Sequence, residues 1–231
     1  MKRLLIAASS AALLSSPLFV SAQAKNFEGF YTEAGLGYGT FSSSFSGGNV
    51  NTPPPPYGYG ALPYSVSADT IKSIIGVVGL GYSFPVSNEV LLSVGGSYSP
   101  SRSASASSTI TSLAVSGGQA TAAGAVQNIY SIYVSPGYAL SQDSLVYAKV
   151  GYTGATAVFS GTSPNVNLSG YVLGLGYKKI VDKNLYAFVE GKYASFGSKD
   201  LDPNSLSSAV TNTGSMSASG MDVIVGIGYK F

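Results

Sequence analysis

The clearest alternation of apolar and polar positions closes the chain. Across residues 221–231 the odd positions Met221, Val223, Val225, Ile227, Tyr229 and Phe231 are all apolar or aromatic, whereas the even ones include Asp222, Gly226, Gly228 and Lys230. A period of two places the first set on one face of a strand. The same phase returns in segments built on Gly-x-Gly-Tyr: Gly35-Leu-Gly-Tyr38, Gly79-Leu-Gly-Tyr82, Gly174-Leu-Gly-Tyr177 and Gly226-Ile-Gly-Tyr229. With the weaker alternations between them, the pattern predicts strands over 29–41, 70–84, 89–99, 126–140, 144–159, 168–178, 184–197 and 221–231. Each reaches the roughly 9 to 11 residues that a tilted strand needs to cross a bilayer.

The connections add a second periodicity. Short turns at 85–88, 141–143 and 181–183 alternate with long connections at 42–69, 100–125, 160–167 and 198–217. The short ones consist of turn formers such as Pro85, Asn88, Asp143 and Asp182. Strict alternation puts every short turn at one end of an up-and-down meander. The fold class predicted is therefore all-β: a transmembrane up-and-down antiparallel β-barrel of eight strands. A ten-stranded wall would require 108–115 to pair with 120–126 inside the membrane; that hairpin is placed above it instead.

Composition narrows the compartment. Residues 1–24 carry Lys2 and Arg3, then an uncharged apolar stretch, then Ala22-Gln-Ala24, the order of a cleaved secretory leader. The expected mature chain is 25–231, a single barrel domain. Removing Lys2 and Arg3 from 12 basic residues leaves ten, against ten acidic, so this mature chain is neutral and has no basic surface for nucleic acid. Only 10% of residues are charged, and no apolar run beyond the leader is long enough for a spanning helix. A closed barrel is the other way to satisfy every backbone group in lipid.

Chemistry is constrained by what is missing. The chain has no cysteine and no histidine, so no disulfide framework, no transition-metal site and no imidazole base are expected. The glycine repeats do not continue to a third glycine opening a helix, which sets aside dinucleotide binding. No catalytic residue, metal or cofactor is predicted. Carrying the lipid-facing phase through each strand leaves Glu33, Lys149, Glu190, Lys192 and Asp222 on the inward face. Counted from the short-turn end, Glu33 and Lys149 lie four residues in, Glu190 five and Lys192 seven, with Asp222 about nine. The expectation is one belt in which Glu33 and Glu190 oppose Lys149 and Lys192 and plug the lumen, since buried charges must pair. Among the long connections, Pro53-Pro-Pro-Pro56 stiffens the approach to Tyr57 and Tyr59, the candidate contacts for a surface ligand.

The segment 174–193, a strand-turn-strand from Gly174 to Tyr193, and the ending Val225-Gly-Ile-Gly-Tyr-Lys-Phe231 resemble the small outer-membrane β-barrels, among them the OmpA membrane domain, OmpX and the opacity-type surface proteins. The resemblance covers the whole mature chain. It implies a bacterial outer-membrane location with both mature termini in the periplasm, and contact with outer-membrane lipid and lipopolysaccharide. It also implies recognition by the barrel assembly machinery through a C-terminal signal, whose glycine and two apolar positions fall on Gly226, Tyr229 and Phe231. Ile224 stands where that pattern has a polar residue. The function expected is a structural or surface-interaction barrel with a plugged lumen and no enzymatic activity. A small-solute or ion-conducting channel, and an adhesin acting through the long loops, are the alternatives.

Overall fold

The computed structural model describes residues 24–46, 48–51, 61–68, 70–101, 106–112, 119–159, 165–200, 211–212 and 215–231. The leader up to residue 23 and the loop tyrosines Tyr57 and Tyr59 lie outside the described residues.

Eight long strands form the wall: β1 Gly29–Ser46, β2 Ile71–Pro85, β3 Val90–Ser101, β4 Gln119–Ala139, β5 Ser144–Phe159, β6 Val166–Asp182, β7 Leu185–Asp200 and β8 Ser215–Lys230. Each pairs antiparallel with the next in sequence, and β8 returns to β1 from Tyr31↔Lys230 to Ser46↔Ser215. The sheet closes without a free edge in the wall, so every strand finds two neighbours. Phe231 completes the seam: its N–H donates to the Phe30 carbonyl at 2.9 Å.

At the turn end every strand but β6 stops within one residue of where alternation predicts, but most run further at the end carrying the long connections. There the chain is rich in Ser, Ala and Thr and carries no apolar alternation, so only backbone pairing reveals the extension. Short strands Gly48–Asn51, Ala61–Ala68, Ala106–Ser112 and Thr211–Asn212 continue this region as an antiparallel ribbon joined to the outer part of β4. The hairpin partner of Ala106–Ser112 is the start of β4, so it adds no strand to the wall.

The outward face is organised in layers. At the turn end Phe30, Tyr82, Phe84, Tyr138, Tyr177, Tyr229 and Phe231 form one aromatic girdle, with ring contacts such as Phe30 to Tyr82 at 5.1 Å. At the loop end Tyr38, Tyr98, Tyr130, Tyr152, Tyr171 and Tyr193 form the other. Between them the outward positions are apolar or small, led by Leu36, Leu80, Ile132, Leu175, Val223 and Val225. No described outward position in this band is charged. Phe30 and Tyr38 lie eight residues apart, as do Tyr130 and Tyr138. At about 3.3 Å per residue and a tilt of about 40° the girdles sit roughly 20 Å apart, near the height of a lipid-facing band.

Candidate functional site: the barrel lumen

The inward face is set by the same period of two, and its glycines carry the geometry. A Cβ at Gly176 would collide with the Tyr147 ring, one at Gly228 with the Tyr186 ring, and one at Gly81 with Tyr31. A Cβ at Gly226 would likewise come within 2.6 Å of the Phe188 ring. The Gly-x-Gly-Tyr repeats therefore do two things at once: the tyrosine joins an outer girdle, and the glycines vacate wall space that inward aromatic rings occupy. A narrow barrel can hold large polar rings only if facing positions are small.

Those rings frame a lower tier of charge. Lys149 Nζ lies 2.5 Å from Glu190 Oε2, to which Tyr147 also donates its hydroxyl at 2.8 Å. Lys178 Nζ lies 2.6 Å from Glu33 Oε1, which accepts a second hydrogen bond from Tyr186 at 2.9 Å. The Lys178 ammonium is ringed by Tyr31, Tyr186 and Tyr147, with centroids at 4.5, 4.9 and 5.1 Å. Lys149 lies over Tyr133 at 4.1 Å. All four charged side chains are about nine-tenths buried or more. Each carboxylate thus has an ammonium and a phenol, and each ammonium has a carboxylate and at least one ring face, which is what keeps buried charge tolerable.

Towards the loop end lies a separate upper tier, where Lys192 and Asp222 face each other in register across β7 and β8 with Nζ and Oδ2 3.5 Å apart. This corrects the expected belt. Lys192, the next inward position after Glu190 on β7, pairs with Asp222 and not with Glu33 or Glu190, and Lys178 supplies the cation that faces Glu33 below. Asp222 does lie nearer the loop end, as its position in the strand requires. Three carboxylates (Glu33, Glu190, Asp222) face three ammoniums (Lys149, Lys178, Lys192), so the described lumen charges balance.

Apolar layers close both sides. Above the upper tier Phe41, Ile71, Val126, Ile129, Leu168 and Phe196 share one buried cluster, with Phe41 and Phe196 rings 5.8 Å apart. Below the lower tier, Phe27, Leu91, Ala139, Leu145 and Tyr147 share another, topped by the short 3-10 turn Ala24–Phe27. Two cavities between these layers, one at the lower tier and one beside Lys192 and Asp222, have volumes of about 10 Å³ each, room for about one water apiece, and a third of the same volume lies at the turn-end mouth against Asn26, Lys183 and Lys230.

Parity placed Glu33, Lys149, Glu190, Lys192 and Asp222 inside, and all five are there. It passed over Lys178, which ends the predicted strand 168–178 beside a turn, although it shares its phase with Gly174 and Gly176. The inward tyrosines Tyr31, Tyr133, Tyr147 and Tyr186 were also missed, each lying off the Gly-x-Gly-Tyr pattern. At the C-terminus Gly226 faces inward under Phe188, while Tyr229 and Phe231 face outward with rings 5.1 Å apart. Ile224 is 2% exposed and packs in a cluster with Tyr31, Ile75, Tyr186 and Phe188, which accounts for an apolar residue at that position.

No protein-family model and no curated protein sequence matches the chain. Among solved structures it is similar to the outer membrane protein OprG from Pseudomonas aeruginosa, at 11% identity and a TM-score of 0.55, covering 88% of this chain and 96% of that one. Neisserial surface protein A aligns at 15% identity and a TM-score of 0.46, over 87% and 97%. Ail, the attachment invasion locus protein of Yersinia pestis, aligns at 16% and 0.43, over 88% and 99%. At these identities the likeness speaks to the fold, and OprG carries it: the chain has the closed antiparallel architecture of the small outer-membrane β-barrels.

Proposed function

We propose that the chain is an integral protein of the bacterial outer membrane that serves as a closed structural and surface-presenting barrel, not as a channel and not as an enzyme. The observation that carries this reading is the lumen. Its two charge tiers are internally neutralised, the Tyr147 and Tyr186 phenols donate to the lower-tier carboxylates while those of Tyr31 and Tyr133 pair with each other, and apolar layers lie above and below. A conducting path needs a continuous wet lining, and the cavities here each have room for about one water. The leader exports the chain, the short turns and termini face the periplasm, and the outward band contacts lipid and lipopolysaccharide. Insertion proceeds through the barrel assembly machinery, which reads Gly226, Tyr229 and Phe231.

Catalysis has no support in the residues. The chain offers no histidine or cysteine, and the carboxylates of the described lumen are held in ion pairs rather than poised to accept a proton from a substrate. Surface interaction draws support from the ribbon that continues above the wall at the loop end, since a rigid scaffold beneath ordered backbone is where binding surfaces are built. Tyr57 and Tyr59 remain the proposed loop contacts. Liposomes carrying the refolded barrel should not swell in isotonic glycine or arabinose; swelling at the rate of porin-containing vesicles would refute the closed-lumen reading.

A further inference from the structure

The segment Ala24–Phe27 enters the turn-end mouth and is held there from three sides. Ala24 donates its backbone N–H to the Asn88 carbonyl at 2.8 Å, in the turn between β2 and β3. Asn26 donates its side-chain amide to the Gln142 carbonyl at 2.8 Å, in the turn between β4 and β5. Lys230, at the end of β8, donates its ammonium to the Asn26 carbonyl at 2.9 Å. Ala24 is fully buried and Phe27 is 6% exposed, both in the apolar cluster with Leu91, Ala139, Leu145 and Tyr147. Anchors on three separate parts of the rim, with an apolar residue at each end of the segment buried inside it, describe a stopper seated in the mouth.

Ala24 is also the residue after which the leader was expected to be cut, and the two roles conflict. Cleavage there removes the N–H that satisfies Asn88, vacates the slot that Ala24 fills, and places a new α-ammonium on Lys25 at the lip of an apolar cluster. The sequence offers a second site two residues upstream, where Val20 and Ala22 flank Ser21 in the spacing of a small-x-small motif. We propose that the leader is removed after Ala22, so that the mature chain begins at Gln23 and Ala24 stays as a buried residue of the stopper. This rests on the reading that the chain is exported.

Intact-mass measurement and N-terminal sequencing of barrel purified from outer membranes test it. The expected mature chain starts at Gln23, read either directly or as its cyclised pyroglutamyl form. A start at Lys25 would overturn the inference while leaving export intact, whereas a chain found only uncut from Met1 and absent from the outer membrane would overturn export and the inference with it. Ala24→Leu separates the two sites again. A bulky residue directly before the cut blocks processing, so cleavage after Ala24 would make this variant accumulate as precursor. Cleavage after Ala22 leaves it processed at the wild-type position, with the altered stopper registering as a lower unfolding temperature.

Discussion

Replacing Lys178 by Met keeps most of the apolar stem among Tyr31, Tyr147 and Tyr186 but deletes the charge that faces Glu33. The carboxylate is left about nine-tenths buried with the Tyr186 hydroxyl as its donor at 2.9 Å. Removing one partner of a buried pair costs about 3–5 kcal/mol, because the other charge stays desolvated. At the lower end this is more than a hundredfold in the folding equilibrium. Glu33→Gln alone should cost less, since the Lys178 ammonium retains three ring faces that contribute roughly 1–2 kcal/mol when desolvated. The double variant Lys178→Met/Glu33→Gln contains no orphaned charge, and its glutamine still accepts from Tyr186, so it should recover most of the loss. The expected coupling is therefore about 2 kcal/mol or more, well beyond the roughly 0.5 kcal/mol scatter of independent sites. Equilibrium urea unfolding of the refolded barrel in vesicles, followed by its electrophoretic shift, gives each value provided the slopes agree. A loss below about 1 kcal/mol for Lys178→Met, or additivity of the two single variants, would refute the role assigned to this pair.

Three other expectations follow from the wall and its rim. Gly176→Val should drive the Tyr147 ring off Glu190 and lower stability by about 1–3 kcal/mol. Gly191→Val, where an added Cβ meets nothing within 4 Å, should be near neutral in the same unfolding assay; equal losses would remove the glycines from the account. In the turn between β4 and β5, a hydrogen bond from Lys179, aided by the hydroxyls of Ser141 and Ser144, holds the Asp143 carboxyl below the usual carboxylate range. A depressed carboxyl stabilises the fold above its unfolded value of about 3.9 and ceases to as pH falls through its folded value. Melting temperatures of wild type and Asp143→Asn should accordingly differ above about pH 4 and converge in stronger acid, with a small difference because the pair is half exposed; a gap that widens in acid would contradict this. Phe231→Asp places a charge in the turn-end girdle beside Tyr229 and should reduce the heat-modifiable form in the outer membrane. Undiminished levels of that form would show that the terminal aromatic is dispensable.

Much of the architecture was readable because lipid imposes a rule on every strand. The odd positions of 221–231 had to be apolar, and the alternation of short and long connections had to put the turns at one end. Strand ends towards the loops were not readable, since above the membrane pairing alone sustains β1 to Ser46 and carries β4 back to Gln119. Inward placement of Glu33, Lys149, Glu190, Lys192 and Asp222 followed from parity along single strands. Partner choice did not, because it depends on how neighbouring strands are staggered. Lys192 meets Asp222 through the register of β7 on β8, whereas Lys149 on β5 reaches Glu190 on β7 past the intervening glycines Gly174 and Gly176 of β6. Lys178 was masked by its place beside a turn, and Ile224 looked like a flaw in a terminal signal until its packing against inward rings was visible.

Single-channel recording on the purified, refolded barrel in planar bilayers tests the central claim most directly. The account predicts a silent baseline for the wild type. Steady conductance from the wild-type barrel would contradict it, because current cannot pass tiers of paired charge sealed between apolar layers.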